Sequence, residues 1–282
     1  MIIVDLNQVM ISNFMAQVGN HTNINIDESL FRHMVLNSIR LYNQKFKVDF
    51  GEMVIACDAS NNWRRDIFPY YKANRRKARQ KSDVDWNTVF ETLNKIREEL
   101  KDYFPYRVIH IDKAEADDII GTLCALYGDN EPVMIVSGDK DFRQLQAYSK
   151  VKQYDPVRKR AIVDKDPKNY LKEHIMRGDM GDGVPNFLSK DDTFVVGGRQ
   201  KPLRQAKLDE WIKMEPDEFC DQEMLRNYRR NEALVDLSVT PDYIKNQVVD
   251  IYNEQAGKGR DKLFNYFIDN KLKHLMEAIN EF

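Results

Sequence analysis

VMIVSGDKDFRQL, residues 133–145, passes through four apolar residues, turns at Ser137-Gly138, and then sets Asp139 and Asp141 one residue apart. A short, β-branched apolar run closed by a turn reads as a buried strand. Two carboxylates at the end of such a strand are electrostatically expensive. Like charges about 4 Å apart repel by roughly 4 kcal/mol at an effective dielectric near 20, so the pair calls for a positive partner.

The pattern recurs. MIIVD (1–5), MVIACD (53–58) and YRVIHID (106–112) are runs of the same kind, and each also closes on an aspartate. Helical spacing lies between them, at residues 27–46 through Leu30, Met34, Ile39 and Leu41, and at 86–103 through Val89, Phe90, Leu93, Ile96 and Leu100. Continuous apolar strands alternating with amphipathic helices predict an α/β fold with a central, mostly parallel, twisted sheet covered on both faces. Ligands bind off the carboxyl ends of such strands, where Asp5, Asp58 and Asp139 stand. After residue 165 the pattern is helical, with segments expected at 167–177, 203–213, 216–230, 241–254 and 259–279 and a loop at 189–202 around Gly197-Gly198. The expected division is a core over 1–165, with a basic segment at about 64–85, and a smaller helical domain over 166–282.

Composition bounds the function. At 282 residues with 42% apolar content the chain can bury a sizeable core, and no apolar run is long enough to span a membrane. Cys57, Cys124 and Cys220 form no CxxC pair, which speaks against a disulfide framework or thiolate metal site and fits a reducing cytoplasm. The net charge of −2 hides a segregation: residues 64–81 carry eight Lys and Arg against the single Asp66.

KAEADDIIGTL (113–123) opens a helix with Glu115, Asp117 and Asp118, for which Asp112 is the expected N-cap. GDMGDGVPN (178–186) adds Asp179 and Asp182 in a glycine-rich loop. Singly, these acids suit a helix dipole or an Asp-Gly turn. In the expected topology Glu115, Asp117 and Asp118 meet Asp5, Asp58, Asp139 and Asp141 at one sheet edge, and a group of that size requires a cation. All-oxygen donors suit Mg²⁺ or Mn²⁺, whereas zinc would want His or Cys, and the five histidines show no ligand spacing. Two such ions can activate water and stabilise the leaving oxygen of a displacement at phosphorus, which points to phosphodiester hydrolysis.

The segment FPYYKANRRKARQK (68–81) interleaves aromatics with cations. Such a run is usually a solvated helix face. Placed just after Asp58, it also suits a nucleic-acid strand: Phe68, Tyr70 and Tyr71 to stack on bases, and Arg64, Arg65, Lys72, Arg75, Arg76, Lys77 and Arg79 to follow phosphates.

Taken in order, Asp5, Asp58, WRRDIFPYYKANR, EADD, SGDKDF and GDMGDGVPN resemble the flap endonuclease and 5′-to-3′ exonuclease family, and within it the T-even phage ribonuclease H branch, through to the closing INEF. The resemblance implies a PIN-like nuclease core, a helical arch and a helix-three-turn-helix-like element that grips duplex DNA. It implies that Asp5, Asp58, Glu115, Asp117 and Asp139 surround one metal, that Asp141 and Asp182 hold a second, and that Asp118 and Asp179 assist through water. Arg65, Lys72 and Arg75 match the arch residues that contact the scissile phosphate. The expected substrates are DNA and RNA–DNA duplexes with 5′ ends or flaps, and the expected role is RNA primer removal in phage lagging-strand replication. The expected state is a monomer, off the membrane, with a single-stranded-DNA-binding protein or sliding clamp as partner. The family's Gly-Ile-Gly type hairpin is replaced here by VPNFLSKDDTFVVGGRQKPLR (184–204), so the resemblance does not carry a potassium-binding clamp. Lys190, Arg199, Lys201 and Arg204 are its candidate duplex contacts.

Two other readings compete. A strand followed by D-x-D also marks haloacid-dehalogenase-type phosphatases, but there the pair usually sits on the first strand, and here position 7 is Asn7. A DNA-binding protein with a structural metal is the non-catalytic alternative.

Overall fold

The computed structural model describes residues 1–18, 27–81 and 84–282; the side chains of residues 17, 18, 76–78 and 80 lie outside the description. In chain order, the first elements are β1 (Ile2–Asp5), α1 (Leu6–Val18), α2 (Glu28–Phe50), β2 (Met53–Cys57), α3 (Arg64–Ile67), α4 (Ala73–Gln80) and α5 (Trp86–Tyr103). Then come β3 (Arg107–His110), α6 (Ala116–Tyr127), β4 (Val133–Val136), β5 (Val151–Asp155), β6 (Arg160–Ile162) and α7 (Pro167–Arg177). The remainder is helical: α8 (Gln205–Trp211), α9 (Pro216–Phe219), α10 (Gln222–Val235), α11 (Asp242–Glu254), α12 (Leu263–Asp269) and α13 (Lys273–Glu277).

The six strands form one sheet in the order β3-β2-β1-β4-β5-β6, parallel except for β6. Every residue of β1, β2 and β4 is buried, the signature of strands covered on both faces. One face, through Ile2, Val4, Met53, Ile55, Val108 and Val136, packs on a cluster that includes Phe14, Phe31, Leu93 and Phe267. The other lies under α6, which contacts β1, β2 and β4, and under α11, which contacts β3. At the β3 edge, the Gln255 side chain continues the pairing by bonding both backbone groups of Val108, at 3.0 and 2.8 Å.

The chain divides into two compact units: Met1–Ser60 with Asp83–Val163 and Pro241–Phe282, and Asn61–Ser82 with Asp164–Thr240. The expected boundary at 165 falls beside one of these divisions, but two segments differ from expectation. The basic segment belongs with the helical unit, because Phe68 and Tyr71 are buried in that unit's core with Ile175, Met176, Phe187 and Leu234. Residues 241–282 belong with the sheet, because Leu263, Tyr266, Phe267, Leu275 and Phe282 are buried in the sheet's core.

Three local expectations are corrected. Helix α2 buries Phe31, Val35, Leu36, Ile39 and Phe46 and leaves Leu30 and Leu41 exposed, so of the four positions read from the sequence only Ile39 lies fully in the core. The helices expected at 216–230 and 259–279 are each split in two, the first where Asp221 caps α10 through Met224 N–H. Strands β5 and β6 continue the sheet where no strand was expected.

Candidate active site

Parallel pairing aligns the carboxyl ends of β2, β1 and β4 on one edge. Asp5 is the last residue of β1, Asp58 follows the last residue of β2, and Asp139 lies just beyond β4. Each carboxylate is fixed by donors from a neighbouring element. Asp5 accepts from the Gln8 N–H at 3.1 Å and from the Ser137 hydroxyl at 3.0 Å, which joins the ends of β1 and β4. Asp58 accepts from the Asn7 amide and from the Ala116 backbone N–H, both at 2.7 Å, which joins the end of β2 to the starts of α1 and α6. Asp139 Oδ1 accepts from Asp141 N–H at 3.0 Å, while the Asp139 carbonyl accepts from the Gln153 amide at 2.6 Å. Gly138 fits closely here, since an added Cβ would stand 3.0 Å from the Asp155 carboxyl carbon and press on that side chain.

The electrostatics follow from this convergence. Burial, then the charges of Asp58 and Asp139, push the Asp5 carboxyl up to about 7, against the opposing hydrogen bonds from Gln8 and Ser137. Three carboxylates at one edge therefore share a single negative field. Their donor atoms are all oxygen, which fits a hard divalent cation.

Helix α6 opens at this edge with Glu115 as its N-cap residue, correcting the expectation for Asp112. Asp118 is fully buried and accepts from the Glu115 N–H at 2.9 Å, so its carboxylate caps the helix. Asp117 is half-buried in the same turn, and Asp141 is half-buried in the 3-10 helix Lys140–Ala147.

Asp179 and Asp182 belong to the helical unit. Gly178 ends α7 with φ +65°, where an added Cβ would meet the Val184 and Pro185 carbonyl oxygens at 2.5 Å. The Asp179 side chain accepts from Gly181 and Asp182 N–H at 2.8 and 3.3 Å, the Asp-Gly turn that the sequence suggests, and His174 Nε2 lies 3.5 Å from its other oxygen.

Among the cations, Arg64 is corrected. It is 1% exposed, donates from Nε to the Leu234 carbonyl at 3.0 Å and lies against the Trp63 ring, so it is a buried structural residue and no phosphate contact. Tyr71, 3% exposed, and Phe68 are likewise core residues, which takes them out of base stacking. Arg65, Arg75 and Arg79 are exposed, and Lys72 is partly so. Burial, then the neighbouring charges of Arg75 and Arg65, lower the Arg79 pKa. The side chains of Arg76 and Lys77 lie outside the described residues. Lys190, Arg199, Lys201 and Arg204 are exposed on a loop pinned by Asn186 and Ser189, which bond the Lys201 carbonyl and N–H at 2.8 Å. Asn7, Gln8, Ser137 and Gln153 were not anticipated as parts of the site. Neutral polar residues carry no spacing that would single them out.

Residues 1–175 match the family described as the 5′-3′ exonuclease N-terminal, resolvase-like domain, and residues 167–282 match the T4 RNase H C-terminal domain. The chain belongs to the 5′-3′ exonuclease family and is a nuclease of that group. It is 33% identical to the ribonuclease H of Enterobacteria phage T4, over 99% of this chain and 95% of that protein. It is 31% identical to a 5′-3′ exonuclease of Streptomyces coelicolor, over 48% of this chain and 50% of that one. Among solved structures, a bacteriophage T5 flap endonuclease in a pseudo-enzyme-product complex with DNA and metal ions superposes with TM-score 0.62, at 18% identity, over 90% of this chain and 98% of that one. T5 5′-exonuclease with bound zinc ions gives TM-score 0.61 at 18% identity, over 90% and 99%. At these identities the likeness is one of fold. Family membership sets aside the phosphatase and non-catalytic readings.

Proposed function

We propose that the protein hydrolyses phosphodiesters at 5′ ends and flaps of DNA and RNA–DNA duplexes, and that it removes RNA primers in phage lagging-strand replication. The observation that carries this reading is the shared field of Asp5, Asp58 and Asp139 at the carboxyl edge of a parallel sheet. Asp5, Asp58, Glu115, Asp117, Asp139 and Asp141 are the residues that would hold Mg²⁺, with Mn²⁺ as a substitute. Bound there, two such ions would supply an activated water and neutralise charge on the leaving oxygen.

The chain's own residues prepare that chemistry. Ser137 and Gln8 orient the two oxygens of Asp5, and Asn7 with the start of α6 orients those of Asp58, so these ligand atoms are held before anything binds. Asp5 must lose its proton to serve as a ligand. In the helical unit, Lys72, Arg65 and Arg75 stabilise negative charge on the phosphate, and Lys190, Arg199, Lys201 and Arg204 follow the duplex backbone. The same reading includes a fork protein as partner, either a single-stranded-DNA-binding protein or a clamp. It is supported by Phe264 and Ile268 of α12, 53% and 51% exposed on one helix.

The test is product sizing on 5′-flap and RNA-primed duplexes with free and blocked 5′ ends, alongside a phosphomonoester. Mg²⁺-dependent release of short 5′ products, abolished by chelator and by Asp139→Asn, is the expected result. Cleavage that persists in both would overturn the proposal.

A further inference from the structure

The carboxylate of Asp182 meets three side chains of the segment that carries the candidate phosphate contacts. Tyr71 donates its hydroxyl to Oδ2 at 3.1 Å, Lys72 Nζ lies 3.6 Å from the same oxygen, and Arg75 Nη2 donates to Oδ1. The backbones are joined as well. Lys72 N–H donates to the Asp182 carbonyl at 2.7 Å, the Asn74 amide donates to the carbonyls of Met180 and Gly181 at 3.0 and 3.2 Å, and Arg75 Nε reaches the Gly181 carbonyl at 3.4 Å. The two strands of chain lie so close that a Cβ at Gly183, where φ is +74°, would stand 3.2 Å from the Tyr70 carbonyl oxygen. Lys72 itself sits at φ +55°, a conformation that a residue with a side chain adopts only where its surroundings hold it.

Tyr71 is buried in the core of this unit, so its hydroxyl gives the Asp182 carboxylate a fixed seat. With the loop seated, the flexible partners are the tips of Lys72 and Arg75. A carboxylate and a phosphodiester present the same charge and similar oxygens to an ammonium or guanidinium group. One can therefore replace the other without moving the backbone.

We propose that Asp182 is a positioning residue: its carboxylate presets Lys72 and Arg75 as a paired cationic seat and yields them to a phosphate of the nucleic acid. The proposal rests on the reading of Lys72 and Arg75 as phosphate contacts. It gives Asp182 a role distinct from metal ligation, and the two roles are separable because this one operates in the absence of divalent ions.

The experiment uses the full-length protein in EDTA, with limited tryptic cleavage after Lys72 and Arg75 mapped by mass spectrometry. Asp182→Asn keeps the shape and loses the charge. It is expected to speed cleavage at these two sites about tenfold, the change that follows when local opening becomes easier by one charge-assisted hydrogen bond. Asp182→Glu, which keeps the charge, is expected to restore most of the protection, and far-ultraviolet circular dichroism checks that both variants fold. In parallel, single-turnover cleavage with Mg²⁺ is measured for Asp182→Asn, for Lys72→Met/Arg75→Met and for the triple variant. If Asp182 acts through the two cations, its effect on the rate shrinks once they are absent. Unchanged tryptic protection in Asp182→Asn, or a loss fully additive with that of the cation variant, would overturn the positioning role. An unaltered rate in Lys72→Met/Arg75→Met would instead overturn the underlying reading of those cations.

Discussion

Asp58 accepts the backbone N–H of Ala116 at 2.7 Å, so the carboxyl end of β2 and the amino end of α6 are joined through one oxygen. The bond satisfies an N–H that the first turn of a helix leaves unpaired, and it brings the positive end of the helix dipole to an acidic edge. The second oxygen takes the Asn7 amide. Asp58 is thus both a structural acceptor and a member of the negative field felt by Asp5.

Replacing Asp58 separates these roles. Asp58→Asn removes the charge that is the second cause of the raised Asp5 pKa, so the Asp5 titration should move down toward the ordinary carboxylate range. Carbon-13 NMR of the side-chain carboxyls in metal-free protein reads this directly. Asp58→Ala removes the acceptor as well, and should lower stability by about 1–3 kcal/mol in urea unfolding.

The pH dependence has a definite sign. The folded-state pKa of Asp5 lies near 7, above its ordinary value of 3.8, so protonated Asp5 favours the folded state. That contribution is fully present below about pH 4 and is lost as pH rises through 7. Unfolding in EDTA should therefore show stability falling over this window, and Asp5→Asn should remove that part of the fall. Divalent affinity of the wild-type protein, measured by calorimetry, should rise over the same window because the proton must leave first.

Two phenylalanines in α12 should behave oppositely. Phe267 is 1% exposed within the sheet's core, and Phe267→Ala should cost about 3–5 kcal/mol in chemical denaturation. Phe264 is exposed, and its replacement by Ala should stay within about 0.5 kcal/mol.

Adjacent arginines separate folding from binding. Arg64→Met should destabilise the helical unit while leaving the salt dependence of DNA binding unchanged, since its guanidinium is committed to the Leu234 carbonyl. Arg65→Ala should leave stability intact and reduce the log-log salt slope by about 0.9, the value for one phosphate contact. Binding isotherms across a salt series measure both.

The sheet's acidic edge was legible because β1, β2 and β4 are apolar runs that stop at or near aspartates, a pattern set by local chemistry. Strand β5 was not, because VKQYD alternates with polar residues where the sheet nears its antiparallel edge. Arg64 reads as a surface cation until its acceptor is known, and that acceptor lies 170 residues away in sequence. Asp118 reads as one more ligand in EADD, whereas its backbone partner Glu115 makes it a cap. In each case the missing information was the identity of a partner, which residue type alone does not carry.

Residues 241–282 close the hydrophobic core of a sheet whose first strand begins at Ile2. During synthesis, β1 through β4 leave the ribosome well before Phe267 and Phe282 do. The acidic edge thus rests on a core that is complete only once residues 241–282 have joined it, so a nascent chain still lacking them carries the aspartates on an unsealed sheet.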